Sequence, residues 1–192
     1  SQSDLPKVST TDWNLILVNR DNQQEEKTPD LTQIGEIQVD SRIAENTRQF
    51  LAAAQAIAPE ETLISGYRSR AEQEELYNEK VAGEVAKGLS NEEAVSIVLK
   101  QVQLPGASEH QTGLAIDMSV PEGQEDELAA KIAELAPQYG FVLRYPDGKS
   151  DITGVDFENW HYRYVGVENA QYMQKHNLVL EEYIALLKAA GK

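Results

Sequence analysis

Residues 108–117, SEHQTGLAID, hold a histidine and an aspartate seven positions apart, and the reading of this stretch decides the fold. Gly113 interrupts it, while Leu114 to Met118 (LAIDM) is a short apolar run of the kind that forms a strand. His110 then falls in a loop or at a strand start and Asp117 on the strand, so the chain must fold back locally to bring the two together. A carboxylate between Ile116 and Met118 is costly to bury unless a cation meets it. A metal is one such partner and an arginine is another. Downstream, ENWHYRY (158–164) alternates in the manner of a second strand and adds His161, with Glu158 three positions before it.

Together these residues could supply three metal ligands and a base. A hydrolytic zinc site keeps three protein ligands and leaves its fourth position for water. The chain has no cysteine, so disulfides, thiolate zinc sites and cysteine nucleophiles are excluded. His110, Asp117 and His161 fit the ligand count, which leaves Glu158 as the general base. A lone histidine is more often a hydrogen-bonded structural residue than a ligand, and it is the clustering that favours a metal here. His176, in MQKHNL, has no acidic or histidine neighbour at useful spacing and reads as a helix-end or solvent-facing residue.

Upstream, Trp13 to Val18 (WNLILV) suits a short buried strand, and the acidic, proline-containing stretch after it reads as loop. Apolar residues from Ser41 to Ala58 recur at helical spacing until Pro59 stops them. TLIS (62–65) is a strand that breaks at Gly66 and leaves Tyr67 and Arg68 just past its end. The planar fork of Arg68 suits a carboxylate, the plain alternative being a surface ion pair with one of the many glutamates. Ser69 with Glu72 and Ser90 with Glu93 are capping boxes that open two helices, with Gln73 on the first turns of the earlier one. Further helices are expected over 125–136 and over 168–190, the latter as one or two around Asn177, with a strand at 141–143 and a hairpin or loop over 145–154.

The 192 residues suffice for one domain with a proper core. The reading is a single α+β domain with a small, mainly antiparallel sheet carrying the metal site and helices around it. Residues 1–38 form an N-terminal strand and loop extension, and residues 39–192 the catalytic core. With 32 acidic against 17 basic residues the net charge is −15, which repels nucleic acid and anionic lipid, so no nucleic-acid partner is expected. No apolar run approaches the roughly 20 residues that span a bilayer, so no transmembrane segment is expected. The polar start SQSDLPKVSTTDW suits a mature protein whose targeting segment has been removed, and a monomer is expected.

Ser108, His110, Gly113, Ala115 and Asp117 match SxHxxGxAxD, and Glu158, Trp160, His161 and Arg163 match ExWHxR. On these motifs, with SGYRS and Gln73 upstream, the chain resembles the VanY-type D-alanyl carboxypeptidases, within the larger group that joins lysostaphin-type, D-Ala-D-Ala and hedgehog zinc domains. The resemblance runs from Leu63 to Gly166 and implies a hedgehog/DD-peptidase-like fold. It implies Zn2+ held by His110, Asp117 and His161, Glu158 as the base, and Arg68, Gln73, Ser108 and Tyr67 as groups that hold the substrate's backbone and terminal carboxylate.

LPGASEHQTGLAIDM, YGFVLRYPDGKSDITG and WHYRYVG are most similar to the L,D-carboxypeptidase subgroup of LdcB and DacB. That likeness implies removal of the terminal D-alanine from peptidoglycan stem tetrapeptides at the L-Lys–D-Ala bond. D,D-cleavage of pentapeptides is the alternative, and a hedgehog-like module with a purely structural zinc is a more distant one. Muropeptide substrates imply an extracytoplasmic protein, secreted or anchored as a lipoprotein.

Overall fold

The computed structural model describes residues 4–192, so the first three residues of the polar start lie outside the described residues. The first strands, β1 (Leu31–Ile34) and β2 (Ile37–Asp40), form an antiparallel hairpin where the sequence reading expects loop. Ile37 and Val39 point inward while Gln38 faces out, a two-residue alternation masked by the polar residues around it. Trp13–Leu15, expected as a strand, is instead a one-turn 3-10 helix, with Leu15 N donating to Asp12 O. Its apolar run is still buried, at Leu15 and Val18.

Helix α1 (Ala44–Ile57) leads into β3 (Thr62–Ser65), which ends where the sequence breaks at Gly66. Ser69 and Glu72 close a capping box at the start of α2 (Arg70–Ala86), and Ser90 and Glu93 do the same for α3 (Asn91–Val98). Helix α2 runs past Gly83, since one interior glycine costs only about 1 kcal/mol. β4 (Ala115–Ser119), α4 (Asp126–Leu135) and β5 (Phe141–Tyr145) follow in the expected order. The expected hairpin or loop after β5 contains a single helical turn, α5 (Ser150–Thr153), capped by Gly154. β6 (Glu158–Tyr164) precedes α6 (Val167–Lys175) and α7 (Leu180–Ala189), and Asn177 takes a left-handed conformation between them.

The architecture is α+β, and its main sheet is wholly antiparallel with strand order β3-β4-β6-β5. Its register builds the centre of the site. Asp117 of β4 stands opposite His161 of β6, so the two side chains leave the same face of neighbouring strands. Ile116 and Met118 of β4, one position either side, face the opposite way with Tyr162 and pack with Phe50 of α1, Phe141 and Ile132 into the main core. One face is thus apolar and anchored by the core, and the other carries the polar side chains.

Candidate active site

His110 reaches this polar face from a different element. Glu109–Thr112 form a 3-10 turn, N-capped by Ser108, whose hydroxyl accepts from His110 N at 3.3 Å. Gly113 ends the turn at φ +75°, and a Cβ there would press on the Asp40 backbone. The fold-back turns His110 over the sheet, where its Nδ1 lies 2.8 Å from the Gly66 carbonyl. A carbonyl can only accept, so Nδ1 carries the proton and Nε2 presents a lone pair. Gly66 can offer that carbonyl because it lies hard against β2; a side chain would collide with the Gln38 carbonyl oxygen.

Three donors converge. His110 Nε2 is 3.5 Å and His161 Nδ1 3.4 Å from Asp117 Oδ1, and one ligand atom from each residue lies within 4.8 Å of the others. Bonds of about 2.0–2.1 Å to a tetrahedral zinc place ligand atoms about 3.3 Å apart, close to these separations. Asp117 Oδ1 is buried with no hydrogen bond among the described residues, and a cation there would satisfy it. The residues fit a zinc ion.

The charges agree with that use. Burial alone would raise the Asp117 pKa, but His110 and His161 beside it hold it well below the carboxylate range. Burial pulls the His110 pKa down against the pull of Asp117. His161 behaves oppositely: burial disfavours its charge, yet Asp117 and Glu109 push its pKa up to about 10 in the metal-free chain. Binding a metal there must displace the Nδ1 proton. Glu158, at the start of β6, has Oε1 3.9 Å from His161 Nδ1 and is pushed up to about 7, mainly by burial and further by Asp117. It is within reach of the centre, and its pKa suits proton transfer near neutrality.

These groups line a cleft of about 320 Å³. Arg68, just past β3, stands on the wall beside Asp117, with Nη2 3.5 Å from Asp117 Oδ2, and its backbone N–H donates to the His110 carbonyl. Ser108 lines the cleft, whereas two other candidates do not. Gln73 is buried behind Arg68, accepting from Arg68 Nη1 at 2.8 Å and donating to the Gln103 carbonyl at 2.8 Å, so its polar atoms are spent inside the protein. Tyr67 lies off the cleft, and its backbone is tied to Gln38. His176 caps α6 with its ring against Tyr172, away from the cleft.

Several neighbours have no role in the sequence reading. Tyr145 packs its ring 4.8 Å from His161, and Trp160 stands half-exposed on the cleft wall. Glu109, hidden inside the SxHxxGxAxD motif, places Oε1 2.8 Å from His161 Nε2. Burial opposes the charge on Glu109, but Arg144, His161 and Arg163 keep its pKa far below normal. The signal that could have found Glu109 is its place next to a ligand on a tight turn; its charge alone resembled the many surface acids.

The family model described as VanY, D-alanyl-D-alanine carboxypeptidase, matches residues 36–167. A D-alanyl-D-alanine carboxypeptidase of Enterococcus faecalis is 39% identical over 179 residues, which cover 90% of this chain and 66% of that relative. The chain thus spans just under two thirds of that relative's length. A solved vancomycin-resistance D,D-pentapeptidase VanY from a VanB-type cassette, in complex with Zn(II), is 38% identical with a TM-score of 0.84 over 90% of this chain and 99% of that one. The LdcB LD-carboxypeptidase is 30% identical with a TM-score of 0.73, covering 91% of this chain and 87% of that one.

Proposed function

The chain belongs to the VanY family of D-alanyl-D-alanine carboxypeptidases, and from that premise we propose that it is a zinc carboxypeptidase removing the terminal D-alanine of peptidoglycan stem peptides. The observation that carries the proposal is the buried Asp117 Oδ1, which makes no hydrogen bond among the described residues and lies between two inward-facing histidine nitrogens, with Glu158 and Arg68 on the same cleft. His110 Nε2, Asp117 Oδ1 and His161 Nδ1 would hold the zinc. When bound, zinc lowers the pKa of a coordinated water and polarises a carbonyl.

The protein's own groups do the rest. Glu158 takes a proton from the attacking water and hands it to the departing amine, a shuttle suited to a carboxyl whose burial lifts its pKa to about 7. Arg68 grips the substrate's terminal carboxylate with its planar fork, held in line by Gln73 Oε1. Ser108 offers a hydroxyl on the cleft wall toward the substrate backbone. Tyr145 and Trp160 wall the cleft and limit water, which strengthens these charge interactions. No helix among the described residues is long and apolar enough to cross a membrane, and a wall substrate puts the activity outside it.

The bond favoured is D-Ala-D-Ala, since the relatives at 38–39% identity are described as acting there. The L,D reading is supported by the LdcB likeness at 30%. Pentapeptide and tetrapeptide muropeptides offered side by side to the zinc-loaded protein, with products identified by mass, separate the two. Alanine loss from the pentapeptide alone is expected; loss from the tetrapeptide alone selects L,D cleavage; zinc-bound protein that cuts neither supports a binding module instead.

A further inference from the structure

Behind His161 lies a fully buried set of charges that the mechanism does not use. Glu109 Oε1 faces His161 Nε2 at 2.8 Å, while Glu109 Oε2 accepts from Arg144 Nε at 3.1 Å and from Arg163 Nη1 at 3.0 Å. The side chains of Glu109, Arg144 and Arg163 are wholly inaccessible to solvent. Two cations against one carboxylate fix Glu109 as an acceptor, so His161 Nε2 keeps its proton and Nδ1 is the nitrogen turned to the centre.

Both arginines are themselves held by the two ends of the chain. Arg144 makes a two-pronged pair with Glu181 of α7, at 2.8 and 2.7 Å, and Asn19 donates to the same carboxylate at 3.0 Å. Arg163 Nη2 donates to the Asn14 carbonyl at 3.0 Å, and Asn14 Nδ2 returns a bond to the Val165 carbonyl at 2.8 Å. Asn14, Asn19 and Glu181 all lie outside residues 36–167, the stretch matched by the family model.

We infer that Glu109 is the positioning residue of the ligand His161, and that the two ends of the chain, through Asn14, Asn19 and Glu181, set how tightly the site holds its metal. The inference rests on the metal-centre reading above. A carboxylate hydrogen-bonded to a ligating histidine fixes the ring and raises its basicity, and loss of such a partner typically weakens metal binding about 10–100-fold. Glu181 acts one step further out: without it Arg144 has one carboxylate left to satisfy and draws more strongly on Glu109, loosening its bond to His161.

The test is zinc affinity, measured by competition with a chromophoric chelator at a temperature where the metal-free proteins are folded by circular dichroism. Glu109→Gln should weaken zinc binding tenfold or more, and Glu181→Gln severalfold, while the exposed-face control Glu79→Gln leaves it unchanged. Glu181→Gln keeps the test decisive if Glu109→Gln fails to fold, because it leaves the buried trio intact. Nitrogen-15 spectra of the zinc-loaded histidines give a second readout: the His161 Nε2–H resonance should move in both variants, with that of His110 Nδ1–H unmoved. Wild-type protein that takes up no zinc overturns the metal-centre reading and this inference with it. Wild-type protein that binds zinc, beside folded variants of unchanged affinity and unmoved His161 resonance, overturns the inference alone.

Discussion

The two walls of the cleft are built by different means. The metal wall rises from paired strands: Asp117 and His161 face each other in register, and their neighbours Ile116, Met118 and Tyr162 are locked into the core on the reverse side. The clamp wall rises from the segment between β3 and α2, where Arg68 is partly exposed and held by Gln73 and by its ion pair with Asp117. Sheet register holds Asp117 and His161 in one geometry and a capped turn brings His110 to them, while a loop gives reach to the group proposed to meet a mobile peptide end. Damage to the first wall should therefore appear as lost metal, and damage to the second as lost substrate grip with the metal in place.

Asp117→Asn tests the first half of that contrast and carries the largest effect: zinc content measured on the purified protein should fall to background, with activity following it. A variant that keeps stoichiometric zinc would mean that Asp117 is an ion-pair partner of Arg68 and not a ligand. Arg68→Lys tests the second half. Retaining zinc, it should lose about 10–100-fold in kcat/KM, because a point charge cannot reproduce a two-pronged contact. An unchanged value would remove Arg68 from substrate binding.

A smaller effect sharpens the contrast through pH. In the metal-free chain, Asp117 and Glu109 push the His161 pKa up from 6.5 to about 10 against burial, and burial pushes that of Glu158 up from 4.5 to about 7. Both are raised on folding, so each contributes stability that is full below its unfolded value and lost as pH rises through its folded one. The melting temperature of metal-free protein should accordingly decline from about pH 5 toward pH 10, and the rise on adding zinc should grow over the same window. Arg68→Lys should leave that trend in place; His161→Gln should flatten its upper part.

How much of this was readable from the sequence follows the same division. The metal wall was legible because its residues lie in two short motifs whose alternation fixes which side chains share a face, and the capping boxes at Ser69 and Ser90 announced α2 and α3. The β1–β2 hairpin was missed because its inward set is only Ile34, Ile37 and Val39 among polar neighbours. The apolar content of Trp13 to Val18 signals burial, which Leu15 and Val18 show, but among the described residues no strand pairs with this segment. The resemblance implies Gln73 among the substrate-holding residues, and its bond to the Gln103 carbonyl depends on how the α2–α3 hairpin returns to the core, which no local pattern shows. Glu109 and Arg144 are 35 positions apart, and no local pattern ties a buried carboxylate to cations that distant.

In the proposed mechanism three residues hold the metal and a fourth, Glu158, moves the proton. Glu158→Gln removes the base and leaves the three ligands untouched. With purified variant and wild type matched for zinc content and fed the same muropeptide, the predicted result is stoichiometric zinc in both and a fall of about 10²–10⁴-fold in kcat for D-alanine release. An unchanged kcat with zinc bound would contradict the account.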